Sequence, residues 1–133
     1  VSAPRLRGTD LLLVAAGGAA GALLRYAVDS ASPHGLFPWP TLAINVVGAF
    51  VLGVLPALDV VRRSRRVATA LGPGALGGFT TVSAWAGQVR ELAGDGHVAV
   101  AGAYLALTLA AGLGAAAAGR RISHRPEPEA ALG

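Results

Sequence analysis

Four apolar stretches, each near the length of a bilayer crossing, constrain this chain more than any other feature. They run roughly 11–28, 36–58, 67–89 and 98–119. A helix needs about 20 apolar residues to cross the hydrocarbon. A soluble helix would carry one polar face, and these stretches have little polar surface on any side. Alanine and glycine are abundant within them, as close helix packing in lipid requires. The expected fold is an all-α membrane protein of four transmembrane helices, one membrane domain over residues 1–133. The tail 120–133, with Pro126 and Pro128, reads as disordered. Arg5 and Arg7 before Leu11–Ala22 mimic a signal peptide, but the apolar run continues to Val28, so a membrane helix is expected.

The third stretch is expected to be irregular. Gly72-Pro73-Gly74 and Gly77-Gly78 fall inside it. Proline removes a backbone donor and glycine tolerates bends, so a break or kink is expected there. Broken backbone at membrane depth survives only where protein or a cavity surrounds it. Freed carbonyls can hold a cation, and a simple packing kink is the alternative. Pro33, Gly35 and Pro38 end the first connection, and Pro40 suits the first turn of the second helix. The link 93–96 is short, which makes the third and fourth helices antiparallel neighbours.

Polar residues at membrane depth are few. Asn45 lies within the uncharged run 36–58, where an amide is costly unless it meets a partner. It marks either a polar path or a bond between helices. Thr80, Thr81 and Ser83 follow the glycine-rich segment; the threonines also suit capping of a broken helix. Tyr104 and Thr108 are four residues apart and share a helix face. Arg25 and Asp29 are spaced for an intrahelical ion pair. Gly17 and Gly21 suit close helix contact.

Charge placement argues for topology and against nucleic-acid binding. All 11 basic residues are arginine, and the net charge is +4. Arg5, Arg7, Arg62, Arg63, Arg65, Arg66, Arg120, Arg121 and Arg125 share one side, while Arg25 and Arg90 lie near helix ends on the other. The positive-inside rule places both termini in the cytoplasm, with a single fixed orientation in the plasma (inner) membrane. The arginines of the middle connection read as a solvated, lipid-facing loop. No carboxylate lies in the middle of any span, which argues against a proton-coupled drug exporter. An enzyme is not expected, because no nucleophile, base and carboxylate can be assembled at one depth. The cysteine count of 0 excludes disulfides and thiolate metal sites.

The stretches Gly18–Tyr26, Thr41–Phe50, Gly77–Ser83 and Tyr104–Thr108, taken together and in order, resemble the Fluc (CrcB) family of fluoride channels. The resemblance implies an antiparallel dual-topology dimer that exports fluoride passively and so limits its cytoplasmic toxicity. It implies two pores along the subunit interface and a central sodium ion (Na+). Carried over, the carbonyls of Gly77 and Thr80 bind sodium and Asn45 is the pore amide. Thr41, Ser83, Tyr104 and Thr108 are hydroxyl donors, and Arg25 lies near a vestibule. Such donors replace the water around a small, strongly hydrated anion.

In one stretch the chain departs from the family pattern. Where the family reads Thr-Thr-Phe-Ser-Thr-Phe, this chain reads Thr80-Thr81-Val82-Ser83-Ala84-Trp85. The family's phenylalanines present electropositive ring edges to the anion. Val82 offers none; Trp85 offers an edge and an N–H. A subunit with fixed orientation and an altered aromatic pair fits one half of a heterodimer, paired with an oppositely oriented homologous subunit. A non-conducting assembly partner is the second reading. The expected partners are thus fluoride, membrane lipid and that second subunit.

Overall fold

The computed structural model describes residues 5–124. Among them the secondary structure is helical throughout. Helix α1 (Gly8–Ala31) is followed by α2 (Trp39–Val54), which runs into a 3₁₀ turn, Leu55–Ala57. Two short helices, α3 (Asp59–Arg63) and α4 (Arg65–Thr69), make the middle connection. A π-helical segment, Ala70–Leu76, and the short α5 (Gly77–Phe79) come next. After two extended residues, α6 (Val82–Gly94) and α7 (Val98–Ser123) complete the order.

Three of these are long and apolar enough to cross a bilayer: Gly8–Ala31, Trp39–Ala57 and Val98–Ser123. The sequence led us to expect a fourth over 67–89, and no single helix covers it. The run is cut at Thr80 (ψ 155°) and Thr81 (φ −147°, ψ 117°), both extended. The piece after the cut, α6, has 13 residues.

The cut is not where the glycines suggested. Gly72, Gly74, Gly77 and Gly78 all sit in helical backbone. Pro73 instead produces the π-helical widening around it. Its ring displaces the carbonyl four residues back and it has no N–H to give. The glycines serve contact. A Cβ at Gly21 would strike the Ala75 carbonyl, and one at Gly78 would strike the backbone of Gly18. A Cβ at Gly17 would lie 3.0 Å from the Ala75 nitrogen. Gly17 and Gly21 thus bring α1 against the π segment and α5, backbone to backbone. On the other flank α2 packs along α7, closest where Gly53 meets Gly119.

The middle connection is helical rather than a loose loop. Arg62 pairs with Asp59 at 3.4 Å, and Arg65 Nη2 donates to Asp10 Oδ2 at 3.1 Å. Asp10 is buried and also accepts from the Arg7 backbone N–H at 3.4 Å. One arginine of the basic patch is therefore anchored to the start of α1. Helix α7 continues to Ser123, so the tail expected from residue 120 begins as helix; residues beyond 124 lie outside the described part. The short link after α6 turns at Gly96, whose φ of 86° favours glycine. It returns the chain so that α6 and α7 pack together.

Candidate functional site: a clasped helix break beside an apolar cavity

The break at Thr80–Thr81 leaves backbone groups that helix would have satisfied. Asn45 on α2 takes two of them. Its Nδ2 donates to the Thr81 carbonyl at 3.0 Å, and the Thr81 N–H donates to Asn45 Oδ1 at 2.8 Å. The side-chain amide behaves as a peptide group paired to an extended residue. Gly48, one turn further along α2, makes room for this approach: a Cβ there would collide with the Thr80 methyl.

The threonines finish the two helix ends. Thr81 Oγ1 accepts from the Ala84 N–H at 3.1 Å and so caps α6. The Thr80 hydroxyl donates to the Leu76 carbonyl at 2.9 Å. Ser83 Oγ lies 3.3 Å from Thr81 Oγ1. Among the described residues no hydrogen bond to the Thr80 carbonyl is present.

A second polar cluster links α2, α6 and α7. The Tyr104 hydroxyl donates to Gln88 Oε1 at 2.7 Å, and Gln88 Nε2 donates to Thr41 Oγ1 at 2.9 Å. Tyr104 is wholly enclosed (0% exposed) within a core of Leu42, Leu92 and Ala101. The Phe37 ring meets it edge-on at 5.3 Å. Gln88 is the residue sequence reasoning missed. The signal was available: it is an amide in an apolar run, subject to the same cost that marked Asn45.

Two cavities flank the clasp, and Thr81 lines both. The larger, about 500 Å³, has walls from Asn45, Gly77, Thr80, Val82, Trp85 and Thr108, with apolar side chains making up the rest. The smaller, about 220 Å³, is lined by Arg25, Asp29, Thr41 and Gln88 among others. Arg25 and Asp29 share that wall; among the described residues the ion pairs are Arg62–Asp59 and Arg65–Asp10, so the intrahelical pair that their spacing allowed does not form. Ser83 and Tyr104 line neither cavity. Val82 is 75% exposed, on a face that the single chain leaves uncovered.

Comparison with known proteins decides what kind of chain builds this arrangement. The family model described as CrcB-like protein, Camphor Resistance (CrcB), matches residues 12–120. This chain belongs to the CrcB family. Its CrcB relatives include the protein named Fluoride-specific ion channel FluC 2 of Nocardia farcinica. That relative is 40% identical over 114 residues, 83% of this chain and 81% of its own length. Fluoride-specific ion channel FluC 1 of Streptomyces coelicolor is 42% identical over 113 residues, 82% of this chain and 73% of its own. Fluoride-specific ion channel FluC of Rhizobium etli is 42% identical over 117 residues, 84% of this chain and 93% of its own. The match covers α1 through α7 and takes in both polar clusters. Membership of this family, with three helices of crossing length, makes the chain a membrane protein.

Proposed function

We propose that this chain is a fluoride-selective, passive channel subunit that lets fluoride leave the cell and limits its toxicity. Family membership supports the reading, as do the names of its relatives. The structural observation that carries it is the Asn45 clasp. One Nδ2 hydrogen and the carbonyl oxygen of Asn45 hold the broken backbone, while the amide also lines the large cavity. An amide carries two N–H donors, and the second is left for a ligand in that cavity. A dehydrated anion needs such donors in fixed positions, because a side chain already bound on one side does not have to reorganise. As a channel it breaks and makes no covalent bond.

The remaining residues divide between the two cavities and the contacts behind them. Val82, Trp85 and Thr108 share the large cavity with Asn45, and Arg25 and Thr41 flank the small one as its positive and hydroxyl-bearing wall. Ser83 stands by the cap of α6 and Tyr104 supports Gln88 and Thr41 from behind. The segments on either side of the break together make the fourth crossing, with both termini in the cytoplasm of a plasma-membrane protein. The nine arginines on that side of the chain support this orientation.

Sodium belongs to this proposal, at the break. Among the described residues the Thr80 carbonyl accepts no hydrogen bond, and Gly77 shares the cavity wall with it. Neutral, hard oxygen donors of this kind suit a hard cation. The carbonyls of Gly77 and Thr80 would hold it, and the ion would supply positive charge near the anion's route.

The same fixed orientation, with Val82 and Trp85 in place of two phenylalanines, supports pairing with an oppositely oriented homologous subunit. A large share of the apolar surface is uncovered, including Val82 and Leu113 (72% exposed), and lipid and a second subunit are what would cover it. The test is fluoride efflux from liposomes holding this chain alone and then with a homologous subunit from the same genome. We expect efflux from the pair and little from the chain alone. Equal efflux from the chain alone would remove the need for a partner, and no efflux from either would sink the channel.

A further inference from the structure

The structure joins two basic segments that lie far apart in the chain. Residues 5–10 and 59–66 together hold six arginines and two carboxylates. They meet at Asp10, which accepts the Arg7 backbone N–H at 3.4 Å and the Arg65 guanidinium at 3.1 Å. Helix α4 is thereby pinned against the start of α1. Asp10 is buried, and the other carboxylate, Asp59, pairs with Arg62 at 3.4 Å. Both negative charges are therefore engaged. Arg5, Arg7, Arg63 and Arg66 are exposed, and among the described residues none of them has an ion-pair partner. Three large apolar side chains in or beside the same segments, Leu6, Leu58 and Val60, are exposed as well.

We propose that this corner binds the headgroup of an anionic phospholipid, with the unpaired arginines on its phosphate and Leu6, Leu58 and Val60 in the acyl boundary. The inference needs only that the chain spans a membrane, so it stands or falls apart from the fluoride reading. The corner lies at the end of α1, a helix of crossing length, which is where headgroups are. A basic cluster placed there attracts anionic lipid. The guanidinium presents planar, paired donors that match phosphate oxygens. A soluble polyanion could use the arginines, but it would gain nothing from the three apolar side chains; a lipid uses both. The Asp10 contact holds arginines from two distant segments together before any ligand arrives, so less order has to be created on binding.

The test is native mass spectrometry of the full chain in detergent. It would be titrated with phosphatidylglycerol and, separately, with phosphatidylcholine of the same acyl chains. We expect phosphatidylglycerol to be retained at one saturable site per chain and phosphatidylcholine to bind about tenfold more weakly or worse. Arg63→Gln combined with Arg66→Gln should weaken phosphatidylglycerol about twentyfold, near fivefold per arginine. Arg120→Gln combined with Arg121→Gln removes the same charge from the end of α7 and should leave that affinity unchanged. Asp10→Asn raises the net charge, so attraction by total charge alone would tighten binding; loss of the pinned geometry should instead weaken it several-fold. Excess inorganic phosphate should leave the lipid bound. Equal affinity for phosphatidylcholine, equal losses from the two double variants, or tighter binding by Asp10→Asn would each overturn the proposal in favour of general charge attraction or apolar contact. Displacement by inorganic phosphate would overturn it in favour of a free-anion site.

Discussion

The two sides of the helix break are held by different chemistry. Before it, the π segment and α5 lie against α1 through glycines, with backbone touching backbone at Gly17, Gly21 and Gly78. After it, α6 is tied to α2 and α7 by side-chain hydrogen bonds from Asn45, Thr41, Gln88 and Tyr104. The first contact has no adjustable part, since neither backbone can move aside for an added methyl. The second is made of side chains whose polarity can be changed one at a time. The glycine side fixes where the break lies, and the polar side ties it to α2 and α7. A membrane protein gains little from burying apolar surface between helices, so close glycine contact and satisfied polar groups carry a larger share of its specificity.

Substitutions on the glycine side should do the most damage. Gly21→Val and Gly78→Val would each drive a side chain into backbone that cannot yield, at a cost of roughly 3 kcal/mol or more. Size-exclusion chromatography of detergent extracts should show little folded protein from either. A well-behaved Gly78→Val would mean that the two backbones are not in contact as described.

Next is the clasp. Asn45→Leu leaves the Thr81 N–H and carbonyl unpaired at the break and should lower thermal stability by about 2 kcal/mol. Asn45→Asp keeps the acceptor but loses the donor to the Thr81 carbonyl. It should be destabilised as well and should stop fluoride flux by putting negative charge on the cavity wall. Stability at wild-type level in both variants would show that the break holds without the clasp.

The second polar cluster should be gentler to disturb. Tyr104→Phe keeps the packed ring beside Phe37 and removes one bond to Gln88, for about 1 kcal/mol. Gln88→Leu removes both bonds at once and strands Thr41 and Tyr104, so it should cost more than Tyr104→Phe in the same melting experiment. The reverse ranking would break the proposed chain of three residues. The smallest effect is expected at the membrane edge. Arg65→Gln leaves the buried Asp10 without its cation, and because Arg65 itself is largely exposed the loss should be about 1 kcal/mol or less.

Much of this was legible in the sequence because the bilayer punishes exceptions. Asn45 stood out as an amide in an uncharged run, and of its two expected roles the structure shows the bond between α2 and the break, with the side chain also on a cavity wall. Gly17 and Gly21 were readable as contact glycines for the same reason. Gln88 was as costly as Asn45 by that argument, but its place near the charged end of its run hid it. The break was misplaced by a few residues because proline and glycine signal what the backbone can tolerate, not what it does. Proline widened the helix, and the extended residues fell at Thr80 and Thr81, whose side chains satisfy the ends they create. The Asp10–Arg65 pair, 55 residues apart, had no local signal at all.

That fluoride travels through the cavity beside the clasp is the central claim, and the cysteine-free sequence allows a direct test. Gly112 lies on the cavity wall, and a Cβ there would meet nothing within 4 Å. Gly112→Cys should fold and conduct in liposomes, in the assembly that carries wild-type flux. A charged thiol reagent should then block its fluoride efflux, while the same reagent on Leu23→Cys, on the exposed face of α1, leaves efflux unchanged. Complete labelling of Gly112→Cys with undiminished fluoride efflux would contradict the account.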